Sequence, residues 1–127
     1  MELISLQSGS NGNCLYVAAG EVKLLFDGGI NSSVVRSRLS TFQRSAQKAK
    51  GLFITHDHSD HICHAGNLSR AFSIPIYVTR STLAVAKKRN RLGRLPEVHF
   101  FKPGETVEIE NVLVETVATP HDGVESV

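Results

Sequence analysis

At 127 residues and 41% hydrophobic content, the chain has the size and balance of one globular domain, taken as a single unit over 1–127. It has no apolar run of membrane-spanning length, and two cysteines, Cys14 and Cys63, cannot make a disulfide framework. Net charge is only +2, yet the charges are segregated. From Gly28 to Pro96 there are twelve basic residues against Asp57 and Asp60, whereas from Glu97 onward acids outnumber the lone Lys102. A basic middle favours an anionic partner, because clustered cations raise its local concentration.

Glu2 to Gln7 alternates and reads as a first strand, too short and too poor in bases for a signal peptide. With no export signal, the expectation is a cytoplasmic protein with reduced thiols. Ser8 to Asn13 is all small or polar and makes a tight connection. Leu15–Ala19 and Val22–Phe26 complete a three-strand meander that ends in Asp27-Gly28-Gly29. Asn31-Ser32-Ser33 suits a helix N-cap, and Val34, Val35, Leu39 and Phe42 follow at helical spacing. Gly51 to Thr55 is a buried strand. His61 to Phe72 reads as one helix, Ile74 to Val78 as a strand, and Ser81 as the cap of another helix running into Lys87-Lys88-Arg89. Val98 to Phe101 is a strand, and Thr106–Ile109 with Val112–Val117 form a hairpin. The order predicts an α/β fold with a mixed sheet and helices on one face.

The chemistry concentrates in His56-Asp57-His58-Ser59-Asp60-His61, at the exit of the buried strand. Three imidazoles and two carboxylates in six residues suit a divalent metal far better than a core. His56 and His58 alternate and can converge on one point. Asp60 and His61 come where a helix would begin and can face a second point. His121 again follows an apolar strand; it reads either as a third imidazole for the first site or as a surface histidine. Asp27 reads either as a turn residue or as a carboxylate behind the metals that holds a ligand histidine by its other ring nitrogen. His64 is expected on a solvated helix face, His99 on a sheet surface, and Cys63 packed inward. Lys87, Lys88, Arg89, Arg91 and Arg94 form a run with no acid. That run is either a solvated helix end favoured by the dipole or a phosphate-contacting, nucleic-acid-binding patch.

His56-x-His58-x-Asp60-His61 after an apolar strand, an earlier strand-terminal Asp27 and a later His121 resemble the metallo-β-lactamase superfamily. The Ser8-Gly9-Ser10-Asn11-Gly12-Asn13-Cys14 turn and the Phe101-x-Pro103-Gly104-Glu105 … Thr119-Pro120-His121-Asp122 stretch are similar to its YycJ/WalJ branch, whose members are regarded as DNA exonucleases. The resemblance covers the whole chain and implies half of an αββα sandwich. The absent C-terminal half would supply a bridging carboxylate and a last histidine.

It further implies that His56, His58 and His121 hold one metal, and that Asp60 and His61 contribute to a second. Zinc suits three imidazoles; manganese suits a site richer in carboxylates. The function implied is a phosphodiesterase or DNA exonuclease that uses a water deprotonated at the metals, with Asp60 as the catalytic residue that binds metal and orients that water. Two alternatives stay open. One is a thioester, lactone or lactam hydrolase. The other is a non-catalytic metal-binding fragment whose exposed apolar sheet face drives self-association or pairing with a complementing chain.

Overall fold

The structure, a computed structural model, describes residues 1–119 and 126–127. Strands β1 (Glu2–Gln7), β2 (Cys14–Ala19) and β3 (Val22–Phe26) form an antiparallel meander. Helix α1 (Ser32–Thr41) crosses to β4 (Gly51–Phe53), and α2 (Ser59–Ile62) and α3 (Ala65–Phe72) lead to β5 (Ile76–Val78). Helix α4 (Arg80–Arg89) leads to β6 (Val98–Phe100). Strands β4, β5 and β6 add in parallel, so the six-stranded sheet runs β1-β2-β3-β4-β5-β6, in chain order. A hairpin of β7 (Thr106–Ile109) and β8 (Val112–Glu115) stands apart.

Strand alternation sorts the side chains into two cores. Leu25, Leu52, Ile54, Ile76 and Val78 turn to one face and pack with Val35, Leu39, Ile62, Leu68, Phe72 and Leu83 of the helices. Each such side chain, fully buried, contributes about 1.5–3 kcal/mol. Val22, Leu24 and Phe53 turn to the other face, where Phe101 and Ile109 close a smaller core with the hairpin. On that second face the register stacks Phe26, Phe53, Tyr77 and His99 across four strands, with ring centroids 5.3, 4.7 and 5.0 Å apart. The helices thus lie on one face, as the element order predicts. The apolar second face is partly covered by the hairpin. Met1, Leu3 and Leu113 stay exposed beside a trough of about 330 Å³.

Local capping chemistry decides the helix ends. Asn31 Oδ1 accepts from the Val34 N–H at 3.0 Å and starts α1. Helix α4 is capped not by Ser81 but by Thr79, whose Oγ1 accepts from the Thr82 N–H at 3.2 Å. The helix expected from His61 to Phe72 is two helices. At the break, the Gly28 N–H donates to the His61 carbonyl at 2.6 Å and the His64 N–H donates to the Gly28 carbonyl at 2.8 Å. A turn some 35 residues upstream therefore takes the backbone groups a continuous helix would have used. No helix among the described residues is long and apolar enough to cross a membrane.

Candidate metal centre

Strands β3 and β4 are parallel neighbours with Phe26 paired to Phe53, so the residues after them leave the sheet side by side. Clefts outside the carboxyl ends of such strands are where ligands bind in α/β sheets. Asp27 emerges first, in the left-handed region at φ 67°, with its N–H donating to the Phe53 carbonyl at 2.7 Å. That turn points its buried carboxylate across the exit of β4.

The carboxylate is fully engaged. Oδ1 accepts from the Thr55 N–H at 2.8 Å, the Thr55 hydroxyl lies 3.0 and 2.9 Å from the two oxygens, and His61 Nδ1 lies 2.7 Å from Oδ2. Thr55 Oγ1 is also 2.8 Å from His56 Nδ1. A carboxylate accepts only, so His61 carries its proton on Nδ1. The Thr55 hydroxyl gives its proton to Asp27 and accepts from His56 Nδ1. One carboxylate therefore sets two tautomers, His61 directly and His56 through Thr55. In both rings Nε2 is left as the nitrogen with a lone pair, the form a metal requires.

The ionisable groups respond to this setting. Burial pushes the His61 pKa down, but the hydrogen bond and charge of Asp27, with the charge of Asp60, outweigh it and leave it raised. Burial, helped by the nearby Asp27 charge, pushes the Cys14 thiol up to about 12. Burial raises Cys63 as well, and its Sγ lies 3.9 Å from the Gly29 carbonyl.

His56, His58, Asp60 and His61 cluster at this strand end. The His56 ring centroid lies 3.9 Å from that of His61 and 4.8 Å from that of His58. Asp60 Oδ2 and His61 Nε2 face each other at 3.6 Å. That separation is close to the edge, about 3.4 Å, of a tetrahedron with bonds near 2.1 Å, so this pair fits a small divalent cation. Among the described residues, no three His, Cys, Asp or Glu side chains form a ready-made cage. His121 and Asp122 lie outside the described residues. Their described flanks meet at this edge, the Thr119 N–H bonding the Ser126 carbonyl and the Val127 N–H bonding the Thr55 carbonyl. A cleft of about 390 Å³ opens beside the cluster between Ser5, Gln7, Asn13, Asp27, Thr55 and His61.

The basic run lies at the end of α4 and in the loop after it. Lys87, Lys88, Arg89, Arg91 and Arg94 are all exposed. Arg89 Nη1 reaches 3.4 Å from the Asp57 carboxylate, which is only 2% exposed, and Ser59 Oγ donates to Asn90 Oδ1 at 3.0 Å. The end of α4 is therefore tied to the metal motif. His64 sits half-buried at the start of α3, and the exposed His99 stacks on Tyr77 and pairs with Glu97.

Three contributors escape a reading by spacing. Thr55 relays Asp27 to His56; the available signal is a hydroxyl at the last step of an apolar strand. Arg89 belongs to a run legible only as a charge. Asn13, a turn residue in sequence, places Nδ2 3.1 Å from both Asp60 Oδ2 and His61 Nε2 and 3.2 Å from the Asp60 carbonyl. Nothing in a linear sequence relates position 13 to position 60.

Known proteins share this fold. The family profile of the metallo-beta-lactamase superfamily matches residues 8–127. The exodeoxyribonuclease WalJ of Streptococcus pneumoniae is 31% identical over 121 residues, 94% of this chain and 45% of that protein. The exodeoxyribonuclease YycJ of Bacillus anthracis is 31% identical over 122 residues, 94% of this chain and 46% of that protein. The chain thus spans about half the length of these relatives. Among solved structures, a B3 metallo-beta-lactamase with an active-site glutamic acid superposes with a TM-score of 0.80 at 15% identity, covering 98% of this chain and 52% of its own. FEZ-1 from Legionella gormanii gives 0.75 at 16% identity with the same coverage. The fold, the strand-end cluster and the profile over residues 8–127 agree: the chain belongs to the metallo-beta-lactamase superfamily.

Proposed function

We propose that this chain forms the metal-binding part of a metal-dependent phosphodiesterase that degrades DNA as an exonuclease. The observation that carries the reading is the link between the metal motif and an acid-free basic surface, through Arg89 to Asp57 and Asn90 to Ser59. An anionic backbone drawn to that surface arrives beside the histidines. The similarity to two proteins named exodeoxyribonucleases supports the same choice.

His56, His58, Asp60 and His61 would hold divalent cations, with His121 as a further ligand, and zinc is the metal that suits this imidazole-rich set. Bound there, a divalent cation supplies Lewis acidity that lowers the pKa of a water and offsets charge on a phosphoryl oxygen. The chain's own part is preparation. Asp27 and Thr55 hold His56 and His61 in the tautomers that offer Nε2, and Asp60 orients the attacking water. Lys87, Lys88, Arg91 and Arg94 hold the phosphate backbone without reading bases, which makes binding salt-sensitive and weakly sequence-specific.

The test is release of nucleotides from end-labelled linear duplex DNA with zinc or manganese, beside thioester, lactone and lactam substrates. DNA degradation that is lost in Asp60→Ala and absent on the other substrates is the expected result. Turnover of a thioester or lactam with intact DNA would overturn the reading.

A further inference from the structure

Asn13 is engaged with the site more closely than its place in a turn requires. Its own position is set within the loop: Oδ1 accepts from the Gly9 N–H at 3.1 Å and Nδ2 donates to the Gly9 carbonyl at 2.9 Å. From there the same amide nitrogen reaches Asp60 Oδ2, the Asp60 carbonyl and His61 Nε2. Three chain segments are interlocked at this spot. The Gly29 N–H donates to the Asn13 carbonyl at 2.9 Å, and a Cβ on Gly29 would stand 1.9 Å from the Asp60 carbonyl oxygen and 2.5 Å from the Asn13 nitrogen. Asn13 is therefore held against Asp60 and His61 by packed backbone.

Donor and acceptor rules decide what the amide does there. Asp27 keeps the His61 proton on Nδ1, so Nε2 has one lone pair and no hydrogen. Asp60 Oδ2 has two. One Asn13 Nδ2 hydrogen serves the Gly9 carbonyl, and the other is left to be shared between Asp60 Oδ2 and His61 Nε2, each 3.1 Å away, which, facing each other at 3.6 Å, are the donor pair suited to a cation. We propose that Asn13 is a positioning residue whose amide stands in for the second cation: it occupies the Asp60–His61 donor pair in the cation-free protein, then yields His61 while retaining Asp60 when a divalent cation binds. The exchange follows from lone-pair count. His61 Nε2 cannot serve an N–H and a metal together, whereas a carboxylate oxygen can. Retaining Asp60 keeps its carboxylate in the rotamer that faces His61, so the half-site is pre-formed and no unpaired acceptor is left in its absence.

This inference rests on the divalent-metal part of the proposed function and is independent of the substrate. Two variants separate positioning from mere turn structure. Asn13→Asp keeps an oxygen to accept the Gly9 N–H of the turn, but replaces the donor by an acceptor facing the Gly9 and Asp60 carbonyls as well as Asp60 Oδ2 and His61 Nε2. Asn13→Ala removes both. The first readout is the 15N chemical shift of His61 Nε2 in protein freed of metal by chelation. The second is the affinity for manganese or zinc by calorimetry, and the third is melting temperature with and without cation.

The expected result has three parts. Both variants shift the His61 Nε2 signal in the metal-free protein while Nδ1 stays in place. Asn13→Ala weakens the second cation on the order of 10-fold, the lower end of what outer partners of metal ligands contribute. Asn13→Asp lowers the cation-free melting temperature and gains more from added cation than wild type does. An unchanged Nε2 signal in both variants, or cation affinities within about twofold of wild type, overturns the proposal. So does a wild-type protein that takes up no cation, which defeats the metal reading as well. Cation uptake with these shifts intact but no cleavage of DNA defeats the nuclease reading alone.

Discussion

Replacing Asp27 by asparagine changes one atom of the site and isolates what its charge does. The carboxylate accepts from the Thr55 N–H, the Thr55 hydroxyl and His61 Nδ1. An asparagine can keep its oxygen on the Thr55 N–H, but its NH₂ then faces His61 Nδ1. Two donors cannot pair, so His61 moves its proton to Nε2 and accepts at Nδ1. The tautomer needed by a metal is lost although every ligand remains. Removing a charge-assisted bond costs about 1.5–3 kcal/mol. For a chain of this length that lowers the melting temperature by roughly 5–10 °C. Cation affinity should fall about 10- to 100-fold, as for other groups that orient metal-bound histidines. Long-range 15N spectra of the imidazoles, a thermal melt and calorimetric titration with zinc read the three effects. If Asp27→Asn binds zinc as tightly as wild type, with the His61 proton still on Nδ1, the reasoning about tautomers is refuted.

Other outcomes follow from the same geometry. Gly29→Ala and Gly66→Ala each drive a Cβ to 1.9 Å from a backbone carbonyl, that of Asp60 and that of Leu92 respectively. Both should lower the melting temperature, but among variants still folded at low temperature only Gly29→Ala should weaken zinc binding; equal zinc affinities would contradict the interlock. With Cys14 pushed up to about 12 and buried, its thiolate fraction at pH 8 is on the order of 10⁻⁴. Half-buried Cys63 should therefore titrate first with a thiol reagent, and Cys14 only after denaturation. The His61 pKa is raised on folding, so its contribution to stability is complete below the unfolded value of 6.5 and disappears as pH rises through the folded value. In chelator, the melting-temperature advantage of wild type over His61→Gln should accordingly shrink as pH rises across that window. Lys87→Gln, Lys88→Gln and Arg91→Gln together should reduce the salt slope of DNA binding by about 0.9 for each phosphate that is no longer neutralised, measured by anisotropy. Arg89 is left intact because Asp57 needs it.

What a sequence can reveal of such a site depends on distance along the chain. The α/β class and the hairpin follow from local alternation, and the His56-to-His61 motif from dense composition at a strand end, so both were legible. Asp27 was recognisable as an acid out of place, but whether it served a turn or a histidine depended on β4 lying beside β3. The single helix expected from His61 to Phe72 fails because Gly28, far upstream, bonds into its middle. Ser81 yields to Thr79 as a cap because Thr79 keeps an extended backbone just before the first turn, where its Oγ1 reaches the Thr82 N–H. Asn13 and Arg89 act across 47 and 32 residues, and no periodicity encodes such pairings.

The sheet order has a consequence for how the molecule reaches its native state. Because neighbouring strands are consecutive in the chain, the meander closes over very short loops, and β4, β5 and β6 can dock one after another, each with one helical crossover to order. Strand β4, like β5 and β6, is only three residues long, so few residues hold its register against β3. A slip of one residue would turn Leu52 toward the hairpin and Phe53 toward the helices. It would also carry Thr55 away from Asp27, leaving a buried carboxylate without its partners. The polar cluster that prepares the histidines thus also proofreads strand register, so a chain that misaligns β4 is penalised at the very place where its chemistry would have failed.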